Sequence, residues 1–176
     1  MSEQIGTTGF KKVDGKFNGI YRAKVVDNMD SDMLGRVKAQ IYPMLAEVEA
    51  ADLPWCAPAY PIWEGAGNGT GYFAVPDVDS FIFIFFEQGD IYQPVYFAEA
   101  PTRTKGLPLD RTVNYPNRKV MQTTSGITFM VDDADKVITV LHPTGTSMTI
   151  TTDGQIFVNS PNHIFINGLT INLNPI

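Results

Sequence analysis

The chain is poor in the residues that carry most enzymatic and metal chemistry. Among 176 residues there is one cysteine, Cys56, and there are two histidines, His142 and His163. A single cysteine excludes an internal disulfide framework and any multi-cysteine zinc site. Two histidines leave little for metal or acid–base work. No window approaches the ~18 uninterrupted apolar residues of a membrane-spanning helix, and the longest apolar run, Phe81 to Phe86, has the length of a strand. The N-terminus, Met1-Ser2-Glu3-Gln4, lacks the basic and apolar regions of a secretory signal. Positive charge is also scarce. The 13 Lys+Arg against 19 Asp+Glu leave a net charge of −6, whereas nucleic-acid binders usually carry a basic footprint.

What is present is a core. The chain is 44% hydrophobic and only 18% charged, so it has enough apolar material to fold. Its charge is unevenly spread. Residues 120–176 hold Lys136 as their one basic residue, four aspartates and no glutamate, and are dense in Thr, Ile, Asn and Val. Such a shift points to two parts built by different rules.

Residues 17–100 are expected to form a small barrel or sandwich. Tyr21 to Val26 reads as a strand, and Arg36 to Tyr42 alternates polar with apolar residues, the period of a half-buried strand. Trp55 to Tyr60, Gly71 to Val75, Ser80 to Glu87 and Pro94 to Phe97 complete the set, with a turn at Gln88-Gly89-Asp90. Met44 to Leu53 is the one plausible helix. Five or six strands with almost no helix fit a small barrel. Residues 1–16 carry few apolar side chains and read as an arm. Residues 101–120 read as a linker, with Pro101, Pro108 and Pro116 and no apolar periodicity.

Residues 121–176 repeat strand and turn. Ile127, Phe129 and Val131 share a face, as do Ile138 and Val140, Met148 and Ile150, Ile156 and Val158, Ile164 and Ile166, and Leu169, Ile171 and Leu173. Between them lie Ser125-Gly126, Asp132-Asp133, Pro143-Thr144-Gly145, Asp153-Gly154, Pro161-Asn162 and Asn167-Gly168, turns that recur every eight to ten residues. A single segment of this kind closes a poor core, and its outward Thr, Asn, Ser and Asp include few of the Lys or Glu guards that protect sheet edges. Three chains around one axis bury the stripes and pair each strand above and below. At ~4.8 Å per strand layer, about seven strands climb roughly 30–35 Å. The alternative is an antiparallel meander within one chain.

Groups with catalytic potential read better as structure. Gly65 to Gly71 superficially suggests a phosphate loop, but position 70 is Thr and a strand, not a helix, is expected next. His142, Ser147 and Asp153 lack a nucleophile elbow. Glu64, Asp77, Glu87 and Asp90 offer carboxylates for glycoside cleavage, in turn-like segments without an evident cleft. Asp132-Asp133-Ala134-Asp135 lacks the glycine and distal Glu of a calcium loop and reads as a solvated turn. Cys56 reads as a buried small residue. Phe81 to Phe86 reads as barrel core or chain–chain interface rather than a platform for stacking bases. No catalytic, cofactor or metal residue is assigned, and no enzyme is expected.

A family resemblance sharpens this. Tyr21 to Asn28, Leu34 to Tyr42, Leu53 to Pro58, the glycine-rich loop and above all Phe73 to Val95, with its Phe86-Glu87-Gln88-Gly89-Asp90 and Pro94-Val95, resemble the central spike proteins of contractile phage tails, which are related to the VgrG spike of type VI secretion. Thr124-Ser125-Gly126, Asp132-Asp133 and His142 to Met148 look like the entry into that family's β-helix. The resemblance implies an all-β chain: an N-terminal OB-fold (oligonucleotide/oligosaccharide-binding) barrel followed by a C-terminal intertwined trimeric, triple-stranded β-helix. It implies a homotrimeric virion protein of the baseplate, held by a tail hub or tube protein and driven through the host outer membrane on sheath contraction. A small tip protein, or Leu173 and Ile176 themselves, would close the apolar end. Many members carry a His-x-His iron site near the tip. Here the region reads Asn162-His163-Ile164-Phe165, with one histidine, so no axial metal is expected at His163. The other class the sequence leaves open is an OB-fold nucleic-acid module with an oligomerising tail.

Overall fold

The computed structural model describes residues 17–62, 65, 67, 69–104, 106–168 and 171. It divides into two compact units, Met1–Gly106 and Leu107–Ile176, and each is all-β apart from short 3-10 turns.

The first unit is a closed barrel of five strands: β1 (Tyr21–Asp27), β2 (Val37–Ile41), β3 (Trp55–Pro58), β4 (Phe81–Phe86) and β5 (Pro94–Glu99). The order round the barrel is β1-β2-β3-β5-β4, with β4 returning to β1. All pairs are antiparallel except β3 with β5. Period-two alternation makes the core: Tyr21, Ala23 and Val25 from β1, Val37, Ala39 and Ile41 from β2, Cys56 from β3, Ile82, Ile84 and Phe86 from β4, and Tyr96 from β5. Register shifts after Val25 and Phe83 mark irregularities of the kind that bend strands in small barrels.

Gly35 sits where the chain turns into β2. Its φ of +76° is left-handed, and a Cβ there would collide with the Tyr60 hydroxyl and press on Phe73. The close approach lets the buried Tyr96 hydroxyl donate to the Gly35 carbonyl at 2.7 Å, tying β5 to the start of β2. At the far end, Gln88 and Gly89 take φ of 52° and 75° in the tight turn between β4 and β5, and Pro94 opens β5.

Two sequence expectations differ here. Met44 to Leu53 is no helix; only Ala50–Asp52 forms a 3-10 turn. Ten residues are too few for a helix without tertiary support, and Met44 and Leu45 instead turn down onto the barrel core. Gly71 to Val75 is not a strand either. Gly71 has φ of +135°, and Val75 reaches the core from irregular chain.

The second unit is one five-stranded sheet of β6 (Arg118–Gln122), β7 (Thr128–Asp132), β8 (Val137–Leu141), β9 (Ser147–Ile150) and β10 (Ile156–Asn159), antiparallel throughout and in sequence order. β6 and a 3-10 turn, Leu109–Thr112, use residues expected as linker. Three of the four hairpins share one turn. In Thr123 to Ile127, His142 to Thr146 and Thr151 to Gln155, the first N–H donates to the fifth carbonyl, and the glycine at the fourth position donates back to the first carbonyl. Those glycines, Gly126, Gly145 and Gly154, have φ of 89°, 92° and 77°, the left-handed bulge position of a short hairpin loop. Such loops return the chain beside itself, so β7, β8 and β9 are paired on both sides within the chain, and the free edges of this sheet are the outer edges of β6 and β10. The meander is the arrangement of this segment in the single chain. Beyond β10, residues 160–168 form no strand, so the expected strand at Ile164 and Ile166 is absent; Leu169 and Leu173 lie outside the described residues.

Candidate functional site

The residues weighed for catalysis are used as structure. The Asp90 carboxylate accepts from the Tyr92 amide at 3.0 Å and from Gln93 Nε2 at 3.1 Å, closing the turn before β5. Glu87 opens the same turn. Asp77 lies before β4, where its carbonyl accepts from Ser80, and Glu64 lies outside the described residues. His142 follows β8, and its Nδ1 is 2.8 Å from the Thr144 hydroxyl. Asp153 is exposed in the β9–β10 turn. In the glycine-rich loop the Thr70 amide and hydroxyl both donate to the Gly67 carbonyl. Cys56 is buried, and burial pushes its thiol up to about 12. His163 is exposed and stacks on Phe165 at 6.0 Å. Among the described residues no three His, Cys, Asp or Glu side chains gather as metal ligands, and no helix is long and apolar enough to cross a membrane.

One expectation is overturned. Asp132 is not in a solvated turn but is 1% exposed at the end of β7. Its Oδ2 accepts from Arg118 Nε at 2.7 Å and from Asn114 Nδ2 at 3.0 Å. Its Oδ1 accepts from the amides of Ala134 and Asp135. Burial by itself would raise this carboxyl; the bonds from Arg118, Asn114 and Asp135 outweigh it and hold the group below the ordinary carboxylate value.

Two surfaces can meet a partner. The first is the outer flank of the barrel. Phe83 and Phe97 stack at 6.3 Å, Phe85 leans on Phe97 at 6.0 Å, and the Arg22 guanidinium lies 5.0 Å above Phe83. Arg36, just before β2, and Lys38 on it stand over Trp55 of β3 at 5.7 and 5.2 Å. These cations are already engaged. Arg22 donates to the carbonyls of Ala100 and Pro101, Arg36 pairs with Asp30 and Asp32, Lys24 with Asp79, and Lys38 Nζ donates to the Ala51 carbonyl at 2.6 Å.

The second surface is one face of the C-terminal sheet. The register aligns Lys119, Val131, Ile138, Ile150 and Ile156 in one row and Met121, Phe129, Val140, Met148 and Val158 in another on the same side. Nine of these ten are apolar. Ile150 is partly buried, and the other eight are between 36% and 68% exposed. The opposite face mixes Arg118, Gln122, Thr128, Asp132, Thr139, Ser147, Thr149 and Asn159 with five apolar residues. A continuous apolar face left open is the mark of an interaction surface. The sequence supplied the stripes. It could not supply their alignment into two rows, which depends on hairpin register.

Comparison with known families gives the barrel its type. Residues 21–99 match the model for the type VI secretion system/phage-baseplate injector OB domain. The match covers all five barrel strands and stops before the second unit. No curated protein matches the chain.

Proposed function

We propose that the protein is the homotrimeric, membrane-piercing central spike of a contractile phage tail baseplate. The injector OB domain type supports a structural baseplate role. The observation that carries the finer reading is the open apolar face of β6–β10. Complete burial of a large apolar side chain is worth ~1.5–3 kcal/mol, so half-exposed positions gain about 1 kcal/mol each, or roughly 8 kcal/mol per chain over the eight exposed residues. Three sheets around a threefold axis turn these faces to a common centre and bring each β10 edge near a neighbouring β6 edge. The resulting three-sided, triple-stranded β rod spreads axial force over many strand hydrogen bonds.

In this reading the barrels form a collar on a tail hub or tube protein, with residues 1–16 as the docking arm, and the rod is the whole second unit from Leu107, β6 included, rather than residues 121–176 behind a linker of 101–120. The rod faces the host outer membrane, a small tip protein covers its end, and the device works in the virion without cofactor or catalysis. Sedimentation or light scattering tests it: a mass near three chains is expected, and a stable monomer at micromolar concentration overturns it.

The aromatic and cationic barrel flank is the feature that favours the alternative, an OB-fold nucleic-acid module. Its cations are bound to Asp30, Asp32, Asp79 and backbone carbonyls, and the chain is acidic, so we favour the spike. Absence of any oligonucleotide binding at low salt ends the alternative.

A further inference from the structure

The segment leading into the C-terminal sheet is bonded to it well beyond its covalent link. Asn114 holds a left-handed φ of 52°, a conformation asparagine tolerates better than most residues. In that pose its Nδ2 reaches Asp132 at 3.0 Å and Asp135 Oδ2 at 2.7 Å. The Asn117 carbonyl accepts from the Asp133 amide at 3.2 Å, and its own amide donates to the Asn114 carbonyl at 2.7 Å. Arg118, the first residue of β6, pairs with the same buried Asp132 carboxylate. Lys119 pairs with Asp133 beside it. One carboxylate therefore gathers a donor from the incoming segment, a donor from β6 and two amides of the β7–β8 turn.

We propose that Asp132 is a clasp that fixes segment 107–117 to the β7–β8 turn, a conformational device that keeps the entry to the sheet from peeling. Without it the segment would be held by β6, an edge strand paired on one side, and by the Asn117–Asp133 and Asn114–Asp135 bonds alone. With it, a pull or push along the chain reaches β6, β7 and the turn together. The mechanical use of the clasp rests on the spike reading; the clasp itself does not.

Limited trypsin digestion of the full chain tests it, with cleavage after Arg111 inside the segment compared with cleavage after Arg103 ahead of it. Asn114→Ala removes that residue's two side-chain bonds and leaves the Arg118–Asp132 pair and the Asn117–Asp133 backbone bond. It is expected to raise the Arg111/Arg103 cleavage ratio about tenfold, because local opening controls cleavage, while the thermal midpoint of the sheet stays within a few degrees. Asp132→Asn, which weakens every bond to the clasp, is expected to raise the ratio further. An unchanged ratio in folded Asn114→Ala overturns the clasp. A raised ratio in a protein whose mass is that of one chain leaves the clasp standing and removes only its place in a trimeric spike.

Discussion

At the scale of single residues, two carboxylates, Asp30 and Asp132, each gather four or more hydrogen bonds. Asp30, 3% exposed at its side chain, accepts from Arg36 Nε at 2.9 Å and Nη2 at 2.6 Å and from the amides of Asp32, Leu34 and Arg36. The Arg36 guanidinium, followed by these amides, holds its carboxyl well below the usual carboxylate range against the opposing pull of burial. Asp132 is lowered in the same direction. A carboxyl with a lowered folded-state value binds its proton more readily in the unfolded chain, so its stabilisation is complete above the ordinary value of 3.8 and is lost as pH falls toward the folded value. The thermal midpoint should therefore be nearly flat from pH 7 to 5 and fall steeply below about 4. Asp30→Asn and Asp132→Asn should each lower the midpoint at pH 7 and flatten the acid limb; an unchanged acid limb in both would refute the assignment. Cys56 gives a second check. Buried and with its thiol pushed up to about 12, it should resist a thiol reagent in the native protein and react fully in denaturant. Gly35→Ala should cost about 2 kcal/mol or more, from the left-handed φ and the collision with Tyr60.

At the scale of elements, β4 shows what a sequence hides. Phe81-Ile82-Phe83-Ile84-Phe85-Phe86 carries no visible alternation, yet Ile82, Ile84 and Phe86 are buried and Phe81, Phe83 and Phe85, which alternate with them, are only partly covered. The outward rings find cover from Phe97 and Arg22, which come from other strands. Ile84→Ala should cost ~2–5 kcal/mol, as for a filled core site, and Phe83→Ala clearly less, both read by denaturant unfolding. Tyr21 to Val26 and Arg36 to Tyr42 were legible because their outward positions are polar. The hairpin turns were legible as glycine positions. What was not legible is long-range: the closure of β4 on β1, the parallel pairing of β3 with β5, and the reach of Asn114 to Asp132. The Asp132 misreading has the same cause. A run of aspartates looks solvated until Arg118 and Asn114, 14 and 18 residues upstream, are seen to fold over it. Met44 to Leu53 failed as a helix because the barrel attracts Met44 and Leu45 one way only.

At the scale of the whole molecule, the two faces of the C-terminal sheet make opposite predictions from neighbouring residues. Val140 lies on the central strand β8 in the open apolar row; Thr139, next to it, points to the mixed face. Each change to lysine alters one side chain in the same strand, so β propensity and hydrogen bonding within the chain are disturbed about equally. If the apolar faces meet at a threefold axis, Val140→Lys places three ammonium groups close together in a dry centre, where neither water nor a counter-ion repays their desolvation. The mass should then fall from three chains toward one, and the thermal midpoint, which for an associated protein rises with concentration, should become independent of it. Thr139→Lys should leave both the mass and the concentration dependence intact, because its side chain snorkels into solvent. Equal effects of the two changes would mean that the sheet is sensitive to lysine as such. No effect from Val140→Lys would mean that the nine aligned apolar residues meet no second copy, and the rod would then need another explanation for a face that water should not be left to cover.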